Sequence, residues 1–295
     1  MFLPAFTQVA GSIALTVLLW ASAFPAIRAA LGTFGPAELA ALRFAIASLA
    51  LGLYLAWARP TLPGRRDLPR LLAAGGLGIA AYNLLLNAGS RIVDAGTASF
   101  LVNTAPVFAA LLGAGLLGER LRPLGWLGIA LSLAGVALIA LGRGEVGFGQ
   151  GALLVLAAAA CQASQFVLQK PMLARHGALP VTACLIWAGT AMLLPILPGA
   201  LATAGTAPLA ALCAVLFLGL GPAALAYVAW SHALAALPVS SAASFLYLVP
   251  PVATGIAWVA LGEVPGTGAL LGGVVALAGV ILVNTLGRRP ATREG

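Results

Sequence analysis

Amides, hydroxyls and aromatic rings recur at helical spacing inside the long apolar stretches of this chain. Polar side chains within an apolar helix are costly, and they mark solute pathways by default when the helix lies in lipid. Amides and hydroxyls can pair with an ammonium or a carboxylate, while rings stack on apolar groups and hold amines by cation–π contact. Together they predict a pocket for a polar solute with an apolar part. The candidate binding residues are Trp20, Ser22, Tyr82, Asn83, Asn87, Ser99, Asn103, Gln162, Gln165, Gln169, Tyr227, Trp230, His232, Ser244 and Tyr247.

Some of these residues share one face of a predicted helix. Gln162, Gln165 and Gln169 are separated by three and four residues and therefore form one stripe. For any single residue, the alternative is a structural hydrogen bond between helices, worth about 0.6 kcal/mol on average in membrane proteins. The pocket is favoured because six predicted helices each contribute amides, hydroxyls or rings.

Ionisable groups are scarce in the same stretches. Glu38, Glu119 and Glu263 lie near segment ends, so no mid-span carboxylate is available to exchange a proton for a cationic drug. This absence disfavours the export of multidrug cations. His232 has two interpretations, a proton-coupling group or a hydrogen-bonded structural residue, and the second is favoured.

A second set of residues is predicted to act in structure or gating. Arg43 lies one to two turns inside the second apolar segment. It either snorkels or pairs with a helix end, which is the favoured interpretation, or attracts a substrate carboxylate. Prolines free backbone groups and permit helix bends. The structural or gating candidates are Arg43, Pro106, Glu119, Pro250, Pro251 and Glu263.

The sequence lacks the motifs of an ATP-driven or catalytic protein. Its single lysine, Lys170, does not follow a Gly-x-x-x-x-Gly segment, which excludes a phosphate-binding P-loop and direct drive by ATP. No group of His, Cys, Asp and Glu has metal-ligand spacing, and no catalytic set is recognisable. We therefore predict no catalytic residue, no cofactor, no metal site and no enzymatic activity.

Membrane helices are the elements that must position these residues. The 295 residues are 62% hydrophobic and 7% charged, with a mean hydropathy of +1.07, whereas a soluble chain carries about 25% charged residues. Helices are the expected spanning structure, because lipid cannot satisfy backbone polar groups and the alternation typical of a barrel is missing. Ten segments of about 20 apolar residues are predicted to span: 9–30, 37–57, 70–89, 97–117, 123–142, 150–170, 181–201, 210–232, 240–261 and 266–286.

The distribution of basic residues predicts the orientation of these helices. With a cytoplasmic N-terminus, eleven of the fifteen Lys and Arg residues fall on the cytoplasmic side, three on the outer side and one within a span. The positive-inside rule therefore predicts that both termini are cytoplasmic. The same distribution explains the net charge of +8 without a nucleic-acid partner, because the basic residues sit at segment ends and form no patch.

The two halves of the chain resemble each other. Residues 94–101 and 239–246 both end in Ala-Ser-Phe-Leu, at a shift of 145 residues. Further matches follow in order at nearly the same shift, which indicates an internal duplication. We predict a first repeat over residues 1–146 and a second repeat over residues 147–295.

Five predicted spans in each repeat is an odd number, so the second repeat must enter the membrane from the opposite side. Equivalent helices then run antiparallel, as in transporters whose substrate site lies near the midplane between inverted repeats. Tyr82 is equivalent to Tyr227, and Pro106 to Pro251, at the shift of 145 residues. An exchange of conformation between two such halves would give alternating access.

The end of the first repeat resembles a known family. Residues 117–128 read Leu-Gly-Glu-Arg-Leu-Arg-Pro-Leu-Gly-Trp-Leu-Gly and are followed by Leu-Ala-Gly-Val at 133–136. This pattern, with Arg43 and Phe44 in the second span, resembles the EamA-type carriers of the drug/metabolite transporter superfamily. The chain is most similar to their bacterial amino acid exporters, including those for aromatic amino acids. The resemblance implies ten helices in two repeats and a central pocket between helices one, three, four, six, eight and nine. It also implies a multi-pass protein of the bacterial inner membrane.

These observations predict a secondary transporter that exports small metabolites by alternating access, with neutral or aromatic amino acids as the favoured substrates. The alternatives are export of another metabolite or drug by the same superfamily, a channel, or a membrane-embedded enzyme. The predicted partners are the small-molecule substrate and the lipid bilayer. Protons are a candidate coupling ion, and the sequence does not define the oligomeric state.

Overall fold

The chain folds into a bundle of helices. The computed structural model describes residues 3–116, 122–141, 149–237, 245–262, 264 and 266–286. Among these residues every regular element is helical and no β-strand occurs, which confirms the predicted all-α class. The α-helices are α1 (Leu3–Ala30), α2 (Pro36–Ala58), α3 (Leu68–Gly75), α4 (Tyr82–Ser90), α5 (Ala95–Val102), α6 (Ala105–Leu116), α7 (Pro123–Leu141), α8 (Gln150–His176), α9 (Ala178–Leu193), α10 (Leu197–Thr206), α11 (Leu209–Leu218), α12 (Ala226–Ala236), α13 (Val249–Leu261) and α14 (Thr267–Thr285).

Within the described residues, six helical stretches are long and apolar enough to cross a membrane, judged by length and composition. They coincide with the first three and the sixth to eighth predicted spans. Helices α7, α13 and α14 contain shorter apolar stretches within the fifth, ninth and tenth predicted spans. The six long stretches are Gln8–Ala30, Pro36–Ala58, Arg65–Ser90, Gln150–His176, Ala178–Thr206 and Leu209–Ala236.

Two of the long stretches contain a turn of π-helix at matching positions. In the third predicted span the π turn Gly76–Ala81 separates α3 from α4, and in the eighth Gly219–Leu225 separates α11 from α12. Each π turn begins with Gly-Leu-Gly and leads into the helix that carries Tyr82 or Tyr227. A π turn inserts an extra residue into a helix and so changes the direction of the side chains that follow it.

The glycines of these π turns allow neighbouring helices to approach closely. A Cβ atom on Gly78 would overlap the side chain of Gln165 on α8. A Cβ atom on Gly219 would lie 2.7 Å from the Cβ of Ile46 and 2.9 Å from the carbonyl oxygen of Arg43, both on α2. Both π turns are therefore packed against helices from the other half of the chain.

The fourth and ninth predicted spans are interrupted at equivalent places. Residues Asn103 and Thr104 form a turn between α5 and α6, three and two residues before Pro106. The 3₁₀ turn Leu246–Leu248 precedes α13, whose second residue is Pro250. The single helix predicted over 97–117 is therefore wrong, because α5 ends at Val102 and the chain turns before α6 begins.

Helices α7 and α14 cross through small residues that occupy equivalent positions in the two predicted repeats. A Cβ atom on Gly135 would overlap the backbone of Ala276, and one on Gly279 would overlap the backbone of Ser132. The hydroxyl of Ser132 donates a 3.0 Å hydrogen bond to the carbonyl oxygen of Ala276. Small residues let helix backbones approach closely in membranes, so this crossing joins the two halves of the chain.

The remaining contacts between the halves are reciprocal. Helix α1 packs against α11, α12 and α13 from the second half, while α8 packs against α3, α4, α5 and α6 from the first half. At one end of the bundle, the carboxylate of Asp67 accepts from Arg175 and pairs with His176, each at 2.8 Å. A buried carboxylate requires such partners, and these fix the chain between α2 and α3 to the end of α8.

Candidate substrate cavity

A cavity lies inside the bundle between helices of both halves. The centre of a water-sized sphere can move through a volume of about 40 Å³ inside this cavity. A volume of this size holds a few water molecules. The family resemblance implied a pocket between the first, third, fourth, sixth, eighth and ninth predicted spans, and each of these spans contributes to the lining. The second predicted span, helix α2, also contributes through Arg43. The lining residues are Trp20, Ala23, Phe24, Ile27, Arg43, Tyr82, Leu86, Val102, Asn103, Gln162, Tyr227, Leu246 and Val249.

Aromatic rings form one wall of the cavity. The rings of Trp20 and Tyr227 meet edge to face with centroids 5.4 Å apart, and Trp20 also lies 5.5 Å from Trp230. Phe166 packs behind Trp230 at 5.4 Å. The indole of Trp20 donates a 3.2 Å hydrogen bond to the carbonyl oxygen of Pro222, in the second π turn. The wall is therefore fixed in place and can contact an apolar group by its ring faces and edges.

The two tyrosines at the ends of the π turns reach the same cavity. Tyr82 on α4 and Tyr227 on α12 both line it and are 8% and 5% exposed. The hydroxyl of Tyr227 donates a weak 3.5 Å hydrogen bond to the carbonyl oxygen of Gly78, in the first π turn. Each half of the chain thus supplies one tyrosine to a shared space.

Arg43 introduces a positive charge into this lining. Its side chain is 4% exposed, and the Cζ atom lies 5.1 Å from the ring centroid of Phe44. Atoms Nε and Nη1 are buried and have no hydrogen-bond partner among the described residues. The favoured sequence interpretation is that Arg43 snorkels to the surface or pairs with a helix end. Snorkelling is wrong because the guanidinium lies inside the bundle.

The break between α5 and α6 brings polar groups to the cavity. The Asn103 amide nitrogen donates to the carbonyl oxygen of Ser99 at 2.8 Å, so its own amide oxygen can accept. Pro106 has no N–H to donate to the carbonyl of Val102, the residue four positions earlier. Both Asn103 and Val102 line the cavity, as does Gln162 on α8. The arrangement presents hydrogen-bond acceptors suited to an ammonium group.

Several predicted binding residues do not line the cavity, although all are buried except Ser22, which is half-buried. Ser22 and Ser99 donate to carbonyl oxygens of their own helices. Asn87 donates to the carbonyl oxygen of Pro36 at 3.0 Å and links α4 to the start of α2. The side chains of Gln165 and Gln169 bond to each other at 3.2 Å.

Asn83 and Trp230 also lie behind the lining. The Asn83 amide nitrogen donates to the carbonyl oxygen of Ile79 at 2.7 Å, and the residue is fully buried. Trp230 is 1% exposed and packs against Trp20 with ring centroids 5.5 Å apart. The Asn83 amide oxygen and the Trp230 indole nitrogen have no hydrogen-bond partner within the described part of the chain, and the roles of both residues in binding stay predictions.

His232 lies exposed on the surface of α12. It does not line the cavity and makes no hydrogen bond to any other described residue. A hydrogen-bonded structural role is therefore not observed among the described residues, and proton coupling by His232 stays a prediction. His232 lies on a different face of α12 from the buried residues Tyr227 and Trp230, and that face is exposed.

The remaining candidates belong to the interrupted spans and the repeat ends. Pro250 is buried and Pro251 is exposed in the first turn of α13. The backbones of Pro106 and Tyr247 are described, in α6 and the 3₁₀ turn, whereas their side chains lie outside the description. The residues outside the described part of the chain are Glu119, Ser244 and Glu263.

The apolar half of the lining is absent from the sequence-based candidates. On α1, Ala23, Phe24 and Ile27 follow Trp20 at spacings of three and four residues, so they share its helix face. Extending the face of Trp20 along the helix would have identified them. The cavity therefore combines an apolar and aromatic side with a small polar one. Within the described residues, no group of His, Cys, Asp and Glu side chains could hold a metal ion.

The chain matches a family model twice. The model of the EamA-like transporter family matches residues 9–141 and again residues 149–285. A solved crystal structure superimposes with a TM-score of 0.63 over 94% of this chain and 96% of that chain, at 23% sequence identity. This likeness shows that the fold occurs in a protein of distant sequence.

Curated relatives cover nearly the whole chain. A probable terminal-alkyne amino-acid exporter of Streptantibioticus cattleyicolor is 46% identical over 280 residues, which are 94% of each chain. An uncharacterized transporter of Bacillus subtilis, YdfC, is 39% identical and covers 92% of this chain and 90% of its own. A probable amino-acid metabolite efflux pump of Salmonella typhimurium is 28% identical over 93% of this chain and 94% of its own length.

Proposed function

We propose that this chain, which belongs to the EamA-like transporter family, exports neutral amino acids by alternating access. It is a multi-pass inner-membrane transporter, and the proposal proceeds from that premise. The observation that carries the proposal is the cavity between the halves, which has apolar and aromatic groups on one side and polar groups on the other. A neutral amino acid has the same division between its side chain and its charged groups.

The polar groups of the cavity match both charges of such a substrate. The amide oxygen of Asn103, the carbonyl of Val102 and the amide of Gln162 can accept hydrogen bonds from an ammonium. Arg43 can donate to a carboxylate. The rings of Trp20 and Tyr227 can contact the substrate side chain.

The names of two relatives support an amino acid substrate. One is a probable exporter of terminal-alkyne amino acids, and another is a probable amino-acid metabolite efflux pump. An alkyne side chain is narrow and apolar, whereas the aromatic side chains expected from the sequence are wide. Uptake of substrates with each kind of side chain tests which of them the cavity accepts.

The architecture proposed for this carrier is ten helices in two inverted repeats, residues 1–146 and 147–295, with both termini cytoplasmic. Support comes from the reciprocal packing of α1 and α8 on opposite halves and from the matching π turns. The crossing of α7 and α14 through equivalent small residues is also expected for related halves. Inverted repeats of this kind place a substrate site at their interface.

Transport by the purified protein in liposomes tests the proposal. We expect saturable uptake of labelled phenylalanine, leucine or propargylglycine, the last carrying a terminal alkyne, and no uptake of lysine. Lysine is excluded because no described carboxylate lines the cavity to receive its second charge. Protein-free liposomes are the control, and a repeat with a pH gradient determines whether protons are coupled. If none of the neutral amino acids enters above the control, the proposed substrate class is wrong.

A further inference from the structure

Arg43 is a buried cation that forms no ion pair with any other described residue. Its side chain is 4% exposed, it lines the cavity, and its Nε and Nη1 atoms find no hydrogen-bond partner within the described part of the chain. The ring of Phe44, 5.1 Å from Cζ, offers only a cation–π contact. A buried charge without partners lowers the stability of the folded protein by several kcal/mol. A purely structural role therefore does not explain why an arginine occupies this position.

The acidic residues of the described chain are engaged elsewhere. Glu38 accepts from the backbone of Gly35 at 2.8 Å and from the hydroxyl of Thr203 at 3.0 Å. Asp67 is paired with Arg175 and His176 at the end of the bundle. None of these carboxylates approaches Arg43.

The other acidic residues also lie away from the middle of the spans. Asp94 caps α5 by accepting from the backbone of Thr97 at 2.8 Å. The remaining four acids fall at the ends or outside of the predicted spans, at Glu119, Glu145, Glu263 and Glu294. Among the described residues, no carboxylate is left to balance the charge of Arg43.

We propose that Arg43 is the receptor for the substrate carboxylate, so that the cavity selects its substrates by a free carboxylate. The inference rests on the proposed function and assigns its specificity to one residue. A guanidinium binds a carboxylate through two parallel hydrogen bonds and carries a charge that persists when desolvated. Its unpartnered N–H groups provide such donors.

The surroundings of Arg43 favour a carboxylate that is attached to an apolar group. Within the lining, Arg43 is accompanied by the rings of Tyr82 and Tyr227 and by Phe24. Phe44 packs against Tyr227 with centroids 6.3 Å apart and so connects the arginine to the aromatic wall. An inorganic anion would satisfy the charge but leave the apolar side of the cavity without contact.

Comparing acids with their amides tests this assignment. The purified protein is titrated with 3-phenylpropanoate and with 3-phenylpropanamide, and binding is followed by tryptophan fluorescence. The two probes differ only in the group that Arg43 would bind. We expect the wild-type protein to prefer the acid by about 10- to 100-fold, the range for loss of a charged hydrogen-bonded contact. Arg43→Gln should bind both probes alike, and Arg43→Lys should keep part of the preference.

A matched variant separates the role of Arg43 from a general loss of charge. Arg70→Gln removes an exposed arginine at the end of the bundle and should keep the wild-type preference. The assignment is overturned if Arg43→Gln still prefers the acid, or if it weakens acid and amide equally, as a structural residue would. Equal binding of the two probes by the wild-type protein would also overturn it, even if the Arg43 variants do not fold.

The design distinguishes this inference from the proposed function. If the wild-type protein moves no amino acid but prefers the acid through Arg43, the function is wrong and the carboxylate site stands. If neutral amino acids are transported with unchanged affinity by Arg43→Gln, the function stands and the carboxylate site is wrong.

Discussion

Tyr82 and Tyr227, which the predicted repeats make equivalent, supply rings to one cavity. Their packing differs. Tyr227 is held between Trp20 and Phe44, with ring centroids at 5.4 and 6.3 Å, whereas no ring contact restrains Tyr82 among the described residues. Tyr82 is therefore the better probe of substrate contact, because its replacement disturbs fewer structural neighbours.

Replacing Tyr82 with alanine should raise the substrate concentration at half-maximal transport by about ten-fold. The reason is the loss of ring contact, worth roughly 1 kcal/mol in addition to the area it buries. Tyr82→Phe keeps the ring and should stay within about two-fold of the wild type. Uptake kinetics in liposomes measure both variants.

Tyr54→Ala is the matched control for Tyr82→Ala. This tyrosine is 50% exposed on α2, contacts Trp57 and lies outside the cavity. Its removal should leave the kinetics unchanged. Equal effects of the two alanine substitutions would show that Tyr82 has no special contact with the substrate.

At the residue level, the sequence predicted which side chains are chemically suitable but not which face of a helix meets the cavity. Helical spacing correctly grouped Gln162, Gln165 and Gln169, yet only Gln162 lines the cavity. The other two bond to each other, because neighbouring amides can satisfy one another inside a bundle. The role of Arg43 was hard to predict for a similar reason. It depends on the burial and the hydrogen-bond partners of the side chain, and the spacing of residues in the sequence reveals neither.

Among the elements, the two π turns determine where the tyrosines point. A helix with 3.6 residues per turn would place Tyr82 and Tyr227 on other faces, so a regular projection of the sequence could not locate them accurately. The repeated Gly-Leu-Gly at 76–78 and 219–221 is the local signal. The sequence comparison matched the tyrosines but did not identify the irregular helix before each of them.

Replacing Gly219 with alanine should destabilise the protein and weaken substrate binding. The added Cβ would lie 2.7 Å from the Cβ of Ile46 and 2.9 Å from the carbonyl oxygen of Arg43, so α2 would have to move. Overpacking of this kind costs about 1–3 kcal/mol. A thermal melt in detergent should show a Tm lowered by several degrees.

Gly255→Ala provides the comparison for Gly219→Ala. Gly255 lies inside α13 with open space around its Cα, so alanine should leave the Tm unchanged or raise it slightly. The close packing of the second π turn against α2 would be contradicted if the Tm of the Gly219→Ala protein equals or exceeds that of the Gly255→Ala protein.

For the whole molecule, the sequence identified the correct family. The resemblance noted at residues 117–128 is confirmed by the match of the EamA-like family model to both halves of the chain. The helical class is confirmed for the described residues, and six of the ten predicted spans form helices long enough to cross a membrane. Composition and hydropathy are sufficient for these conclusions, because lipid leaves few alternatives.

The reciprocal contacts of the two halves are the physical basis for the proposed mechanism. Helix α1 packs on the second half and α8 on the first, so a rotation of one half against the other would carry these helices with their neighbours. The bonds of Asp67 to Arg175 and His176 hold the halves together at one end of the bundle. An exporter must break contacts of this type at one end while it forms others at the opposite end.

Counterflow across the membrane of protein-containing liposomes tests the central claim most directly. Liposomes are loaded with labelled phenylalanine, or with propargylglycine if that is the better substrate, and unlabelled substrate is then added outside. A carrier with one cavity that opens alternately to the two sides should release the label faster as external substrate rises, and the effect should saturate. Release that increases linearly with the gradient and does not respond to external substrate would contradict alternating access and indicate a channel.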